Sequence, residues 1–127
     1  MLYRMKLQSE PFEKMKSGKK TLELRLYDEK RRSIKPGDEI EFSELPGLEN
    51  KIKTKVVGLF RYGTFAEMLS DLPTRLLGYE ESDREYLKTS MYEVYTKEQE
   101  AEYGVLGIRI ELLEEITEEE VRENATV

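Results

Sequence analysis

Cysteine and histidine are both absent from the 127 residues. Without cysteine there can be no disulfide framework and no thiol nucleophile. Without histidine as well, the usual zinc-ligand sets and any Ser-His-Asp triad are excluded. No apolar run approaches the ~20 residues that a membrane-spanning helix needs. The opening MLYRMKLQSEP lacks the apolar core of a signal peptide. A cytoplasmic protein without a membrane partner is the expectation.

What is present is charge. Hydrophobic residues make up 38% of the chain and charged residues another 38%. That balance fits one soluble domain with a thin core and a heavily charged surface. The charge is uneven: residues 1–60 carry 14 Lys/Arg against 10 Asp/Glu, and residues 61–127 carry 7 against 17. A net charge of −6 argues against tight, sequence-blind nucleic-acid binding, which rests on neutralising phosphates. The basic first half still allows a weak RNA contact through Lys30, Arg31, Arg32 and Lys35.

Periodicity predicts a strand over 2–8 and then a short helix begun by Ser9 and Pro11, with Phe12 and Met15 on one face. Gly18 suits the position that ends it. Residues 21–27 alternate, with Leu22, Leu24 and Leu26 on one side and Glu23, Arg25 and Tyr27 on the other. A charged loop follows and closes at Pro36-Gly37, the pattern of a type II turn. Strands are predicted over 39–42, 51–60 and 105–113, and helices over 83–95, over 97–103 and after Thr64, with Glu67 completing a capping box. Residues 1–113 form the expected domain. Residues 114–127 read as an acidic tail, with a helix start at Thr117 and Glu120. Strands with inserted helices and no regular βαβ rhythm argue for an α+β domain around a small mixed β-barrel of about five strands.

The chemistry concentrates in residues 18–38, where Lys20, Glu23 and Arg25 fall within six positions. Side chains of these types can move protons and hold an anion or a nucleobase. Strict alternation puts Lys20 and Glu23 on opposite faces, so they share a site only if Lys20 precedes the regular strand. The plain structural alternative is a turn decorated by Lys19 and Lys20, with Glu23 and Arg25 forming a same-face ion pair. Gly18-Lys19-Lys20-Thr21 lacks the upstream glycine of a phosphate-binding P-loop. A zinc cytidine deaminase is excluded by its ligands.

Pro11-Phe12, Gly18-Lys19-Lys20-Thr21, Glu23-Leu24-Arg25, Gly37-Asp38 with Ile40 and Phe42, Arg61-Tyr62, Thr64-Phe65 and Tyr103-Gly104-Val105 together resemble the ASCH domain, a member of the PUA-like superfamily. The resemblance spans roughly residues 3–113. It implies a PUA-like barrel with a cleft beside the first strands and a connection to RNA or nucleosides. Small bacterial members include metal-independent amidohydrolases that remove the acyl group from N4-acetylcytidine; others have ribonuclease or RNA-binding roles. The resemblance places the amidohydrolase lysine on Lys20 and its glutamate on Glu80, with Glu81 as the alternative. The family's catalytic threonine falls on Glu23, so a threonine-nucleophile mechanism does not carry over. No cofactor is implied, and the oligomeric state is left open.

In that chemistry a carboxylate activates water and a cation meets the tetrahedral oxyanion. Lys20 could act as a neutral base or nucleophile, but two facing carboxylates, Glu23 and Glu80, would hold it protonated. The expectation is therefore a cationic Lys20 with Glu23 or Glu80 as the general base. Arg25 is a candidate contact for the cytosine carbonyl or a ribose hydroxyl, and Tyr62 a candidate stacking residue. Glu81 is a further candidate for substrate contact.

Overall fold

The computed structural model describes residues 1–116, with side chains to residue 113. Its elements follow the expected order. Strand β1 is Leu2–Leu7, helix α1 is Ser9–Lys16, β2 is Leu22–Leu26, β3 is Glu39–Glu44 and β4 is Lys51–Tyr62. Helices α2 (Phe65–Asp71), α3 (Arg84–Ser90) and α4 (Lys97–Tyr103) come next, and β5 (Val105–Ile116) closes the sheet.

The local signals act where the sequence carries them. Thr64 Oγ1 accepts the Glu67 N–H at 3.0 Å and starts α2. Thr96 and Gln99 cap α4 reciprocally, at 3.1 and 2.9 Å. Several boundaries differ from expectation, and β3 runs two residues past its expected end, to Glu44. The helix expected over 83–95 is α3 followed by a 3-10 turn at Met91–Glu93, after which the Tyr95 ring stacks 5.3 Å from Phe65. Strand β4 runs two residues past its expected end, and β5 continues to Ile116 because β4 is long enough to pair with it. The helix start at Thr117 and Glu120 lies outside the described residues.

The five strands lie in the order β1-β3-β4-β5-β2. The β1–β3 pair is parallel and the others are antiparallel. The α+β class is as expected, and the barrel is an open, curled half-barrel with β1 and β2 as its edges. Register shifts along β4 and β5 near Thr54 and Gly58 accompany the curl.

Two apolar clusters flank the sheet. One holds Met5, Phe12, Met15, Phe42, Ile52 and Ile108, so it joins α1 to one face of the sheet. The other packs Leu22, Leu24 and Leu26 of β2 against Phe65, Met68 and Leu87 of the helices. Gly107 permits this second contact, since a Cβ there would meet Met68 Sδ at 3.2 Å. Strand β2 is therefore covered on both faces, and its polar face is buried along with its leucine face. Each fully buried large apolar side chain contributes roughly 1.5–3 kcal/mol, so the second cluster, which holds all three β2 leucines, anchors the strand firmly.

Candidate active site

Lys20 is fixed by the backbone before its side chain is considered. Gly18 takes a left-handed conformation (φ 83°) that a side chain would oppose. This turn lets the Lys19 and Lys20 N–H groups both donate to the Lys14 carbonyl, at 2.8 and 3.0 Å. Thr21 then donates to Leu76 at 2.8 Å and accepts from Ile110 at 2.9 Å. Regular strand geometry begins only at Leu22. Lys20 thus sits ahead of the alternation, and its side chain can meet that of Glu23.

The two groups do meet. Lys20 Nζ lies 3.3 Å from Glu23 Oε1 and donates to the Leu22 carbonyl at 2.7 Å. Both side chains are more than nine-tenths buried. Glu23 Oε2 accepts from Arg25 Nε at 2.7 Å, and Arg25 Nη2 donates to the Lys6 carbonyl at 2.8 Å.

Burial lowers the Lys20 pKa, and Glu23 offsets this only in part; Arg25 and Lys14 add to the lowering. For Glu23, burial alone would raise the carboxyl pKa, but Lys20 and Arg25 outweigh it and hold it below the usual carboxylate value. Charge pairing was expected to dominate at Lys20. Instead desolvation wins, because one carboxylate faces the lysine rather than two and two further cations lie close.

The pair opens onto a cleft of about 210 Å³. Its interior is formed by Lys20, Glu23, Leu24, Leu69, Leu77 and Leu87, all buried. Its mouth carries Glu10, Pro11, Lys14, Tyr79, Ser90 and Met91. At the mouth, Tyr79 Oη donates to Glu10 Oε1 at 2.8 Å. Lys14 Nζ lies 3.2 Å from the same oxygen and 3.4 Å from the Tyr79 ring centroid.

The other expected site residues lie elsewhere. Glu80 is exposed and precedes a 3-10 turn, where its N–H donates to Asp83 Oδ2 at 3.1 Å; it does not line the cleft. Glu81 pairs with Arg84 at 2.6 Å and is also outside the lining. Tyr62 bonds to Asp71 and borders a separate, shallow depression with Ala66 and Ser70. Arg25 stands behind Glu23 and bonds to the protein itself. In the charged loop, Arg31 pairs with Asp28 at 2.7 Å, and Arg32 lies over the Tyr27 ring at 5.7 Å. Lys30 and Lys35 are exposed.

Glu10, Lys14 and Tyr79 were not anticipated as site residues. The i, i+4 spacing of Glu10 and Lys14 is a readable helix-pair signal, but it does not tell a cleft wall from any solvated helix face. Nothing local marks Tyr79, which joins Glu10 from 69 positions away.

The chain's likenesses agree with this fold. The ASCH domain family model matches residues 5–114. Among solved structures, the crystal structure of hypothetical protein PH0355 is 41% identical, covering 89% of this chain and 100% of that one, with a TM-score of 0.76. The solution structure of protein PF0455 from Pyrococcus furiosus is 39% identical over 89% of this chain and 98% of that one, with a TM-score of 0.65. The ASCH protein of Zymomonas mobilis, at 15% identity and TM-score 0.58 over 96% of this chain and 77% of that one, is similar in fold alone. No curated protein matches significantly. No helix among the described residues is long and apolar enough to cross a membrane.

Proposed function

Because the chain belongs to the ASCH domain family, we propose that the Lys20–Glu23 cleft is the active site of an amidohydrolase. Its substrate is N4-acetylcytidine or a related N4-acylated cytosine nucleoside. The observation that carries this reading is the buried ion pair, 3.3 Å across, opening onto an otherwise apolar interior. Ionised groups kept out of water at a cleft wall act strongly on charge that develops beside them.

Water attacks the acyl carbon as Glu23, ionised at neutral pH, takes one of its protons. The carbonyl electrons move to oxygen, where Lys20 meets the oxyanion through an N–H. The C–N4 bond then breaks with its electron pair on N4, and the proton held by Glu23 passes to that nitrogen. The products are a carboxylic acid and cytidine. The leaving nitrogen is conjugated with the pyrimidine ring, so modest proton assistance suffices. With its pKa lowered, Lys20 is a stronger acid than a solvated lysine and a better partner for the oxyanion. The steps use no metal.

Incubation with N4-acetylcytidine, followed by ultraviolet absorbance, tests the reading. Turnover that EDTA leaves unchanged supports it, and absence of turnover sinks it. A second reading, RNA binding without catalysis, draws on the exposed Lys30, Arg32 and Lys35. It requires salt-sensitive RNA affinity that weakens when these residues are changed. Undetectable affinity at low salt ends it.

A further inference from the structure

Depth divides the cleft. Lys20, Glu23 and the leucines lie inside, whereas the Glu10 side chain at the mouth is 66% exposed and that of Lys14 is 22% exposed. These mouth residues and the buried pair line one cleft, so a substrate whose acyl carbon rests against the pair directs its ring toward the mouth.

We propose that Glu10, Lys14 and Tyr79 form a second subsite that reads the hydrogen-bonding edge of an aminopyrimidine. The inference rests on the amidohydrolase reading of the cleft for its substrate class. The Tyr79 hydroxyl and the Lys14 ammonium both make their close contacts with Glu10 Oε1. Oε2 keeps its capacity to accept. Lys14, held over the Tyr79 ring, has three N–H donors and keeps at least one for a ligand.

The mouth therefore offers an acceptor beside a donor. Cytosine presents the complement, an N4–H donor next to the N3 acceptor. Acylation of N4 leaves one hydrogen there, so the substrate keeps the pattern. Uracil reverses it, setting O4 against the carboxylate and N3–H against the ammonium. Tyr79 is a positioning residue. Burial and its bond to Glu10 push the phenol pKa up to about 12, so it remains a donor and holds Glu10 in place.

The test uses the full chain and two nucleosides that cannot be deacylated, cytidine and uridine, with affinities measured by NMR titration. Wild type should prefer cytidine by about tenfold, the size expected for one well-placed pair of polar contacts. Glu10→Gln and Lys14→Met should each bring the ratio to within about twofold of unity. Tyr79→Phe should lower it partway. A purely structural role for these residues would weaken both nucleosides alike. Failure of wild type to bind cytidine, equal affinity for the two nucleosides, or an unchanged ratio in either Glu10→Gln or Lys14→Met overturns the proposal. The ratio needs no turnover. An inactive protein that keeps the cytidine preference refutes only the hydrolase reading, and an active one with unchanged variant ratios refutes only the subsite.

Discussion

Arg25 reaches from one edge of the sheet to the other. Its Nη2 donates to the backbone carbonyl of Lys6 at 2.8 Å, although β2 and β1 share no backbone ladder. Its Nε holds Glu23 at 2.7 Å. One guanidinium thus ties the open seam of the half-barrel and orients the carboxylate beside Lys20. The fork supplies both directions at once, which a lysine ammonium does less well.

Arg25→Met should therefore cost stability and also loosen β1. The expected loss is about 2–4 kcal/mol, because a mostly buried carboxylate loses one partner and a carbonyl loses its donor. Urea unfolding measures the first effect, and faster amide hydrogen exchange in β1 reports the second. Arg25→Lys should recover part of the stability and little of the exchange protection. If β1 exchange stays at the wild-type rate in Arg25→Met, the seam is closed by other contacts.

Breaking the buried pair should abolish turnover from either side. Lys20→Met removes the oxyanion partner, and Glu23→Gln removes the base while keeping its shape. Glu23→Gln leaves Lys20 buried without its carboxylate, and Lys20→Met takes one of two cations from Glu23; each should cost about 3 kcal/mol. The double variant Lys20→Met/Glu23→Gln should cost less than the sum of the two, as read in a thermodynamic cycle. Glu23→Thr restores the residue of the family pattern; on a carboxylate mechanism it stays inactive. Turnover by Glu23→Thr would transfer the chemistry to a hydroxyl.

The same carboxylate sets an acid limit. The Glu23 pKa is lowered from an ordinary value of 4.5. The unfolded chain therefore binds this proton at a higher pH than the folded chain does. The stability it contributes is complete above about pH 4.5 and is lost as pH falls through the lower, folded value. Melting temperatures of wild type and Glu23→Gln, measured from pH 7 downward, should converge in acid. A constant gap would show that Glu23 titrates alike in both states.

Glu80→Gln should leave turnover within about twofold of wild type, the scale of a surface change away from the site. Glu80 lies outside the lining of the cleft that Lys20 and Glu23 share. A loss of more than tenfold, with an unchanged melting temperature, would require the segment before α3 to move onto the cleft.

Much of the fold was legible because its signals are local. The alternation of Leu22, Leu24 and Leu26, the caps at Thr64 and Thr96 and the stop at Gly18 each act within a few residues. The same locality made Lys20, Glu23 and Arg25 visible as a cluster. Glu80 lies outside the cleft lining, because closeness to a helix start in sequence does not fix which way a side chain faces.

The sequence by itself determined the element order, the α+β class, and the exclusion of thiol and histidine chemistry. It also set a lysine and a glutamate three positions apart at the start of one strand. Tertiary structure decided what surrounds them. Packing on both faces of β2 removes Lys20 and Glu23 from water, and that desolvation, which depends on residues far along the chain, sets the direction in which Lys20 shifts. It also decided the mouth of the cleft, where Tyr79 meets Glu10 across 69 positions. Local periodicity carries no record of such contacts, because they exist only once the sheet has curled and the helices have closed over it.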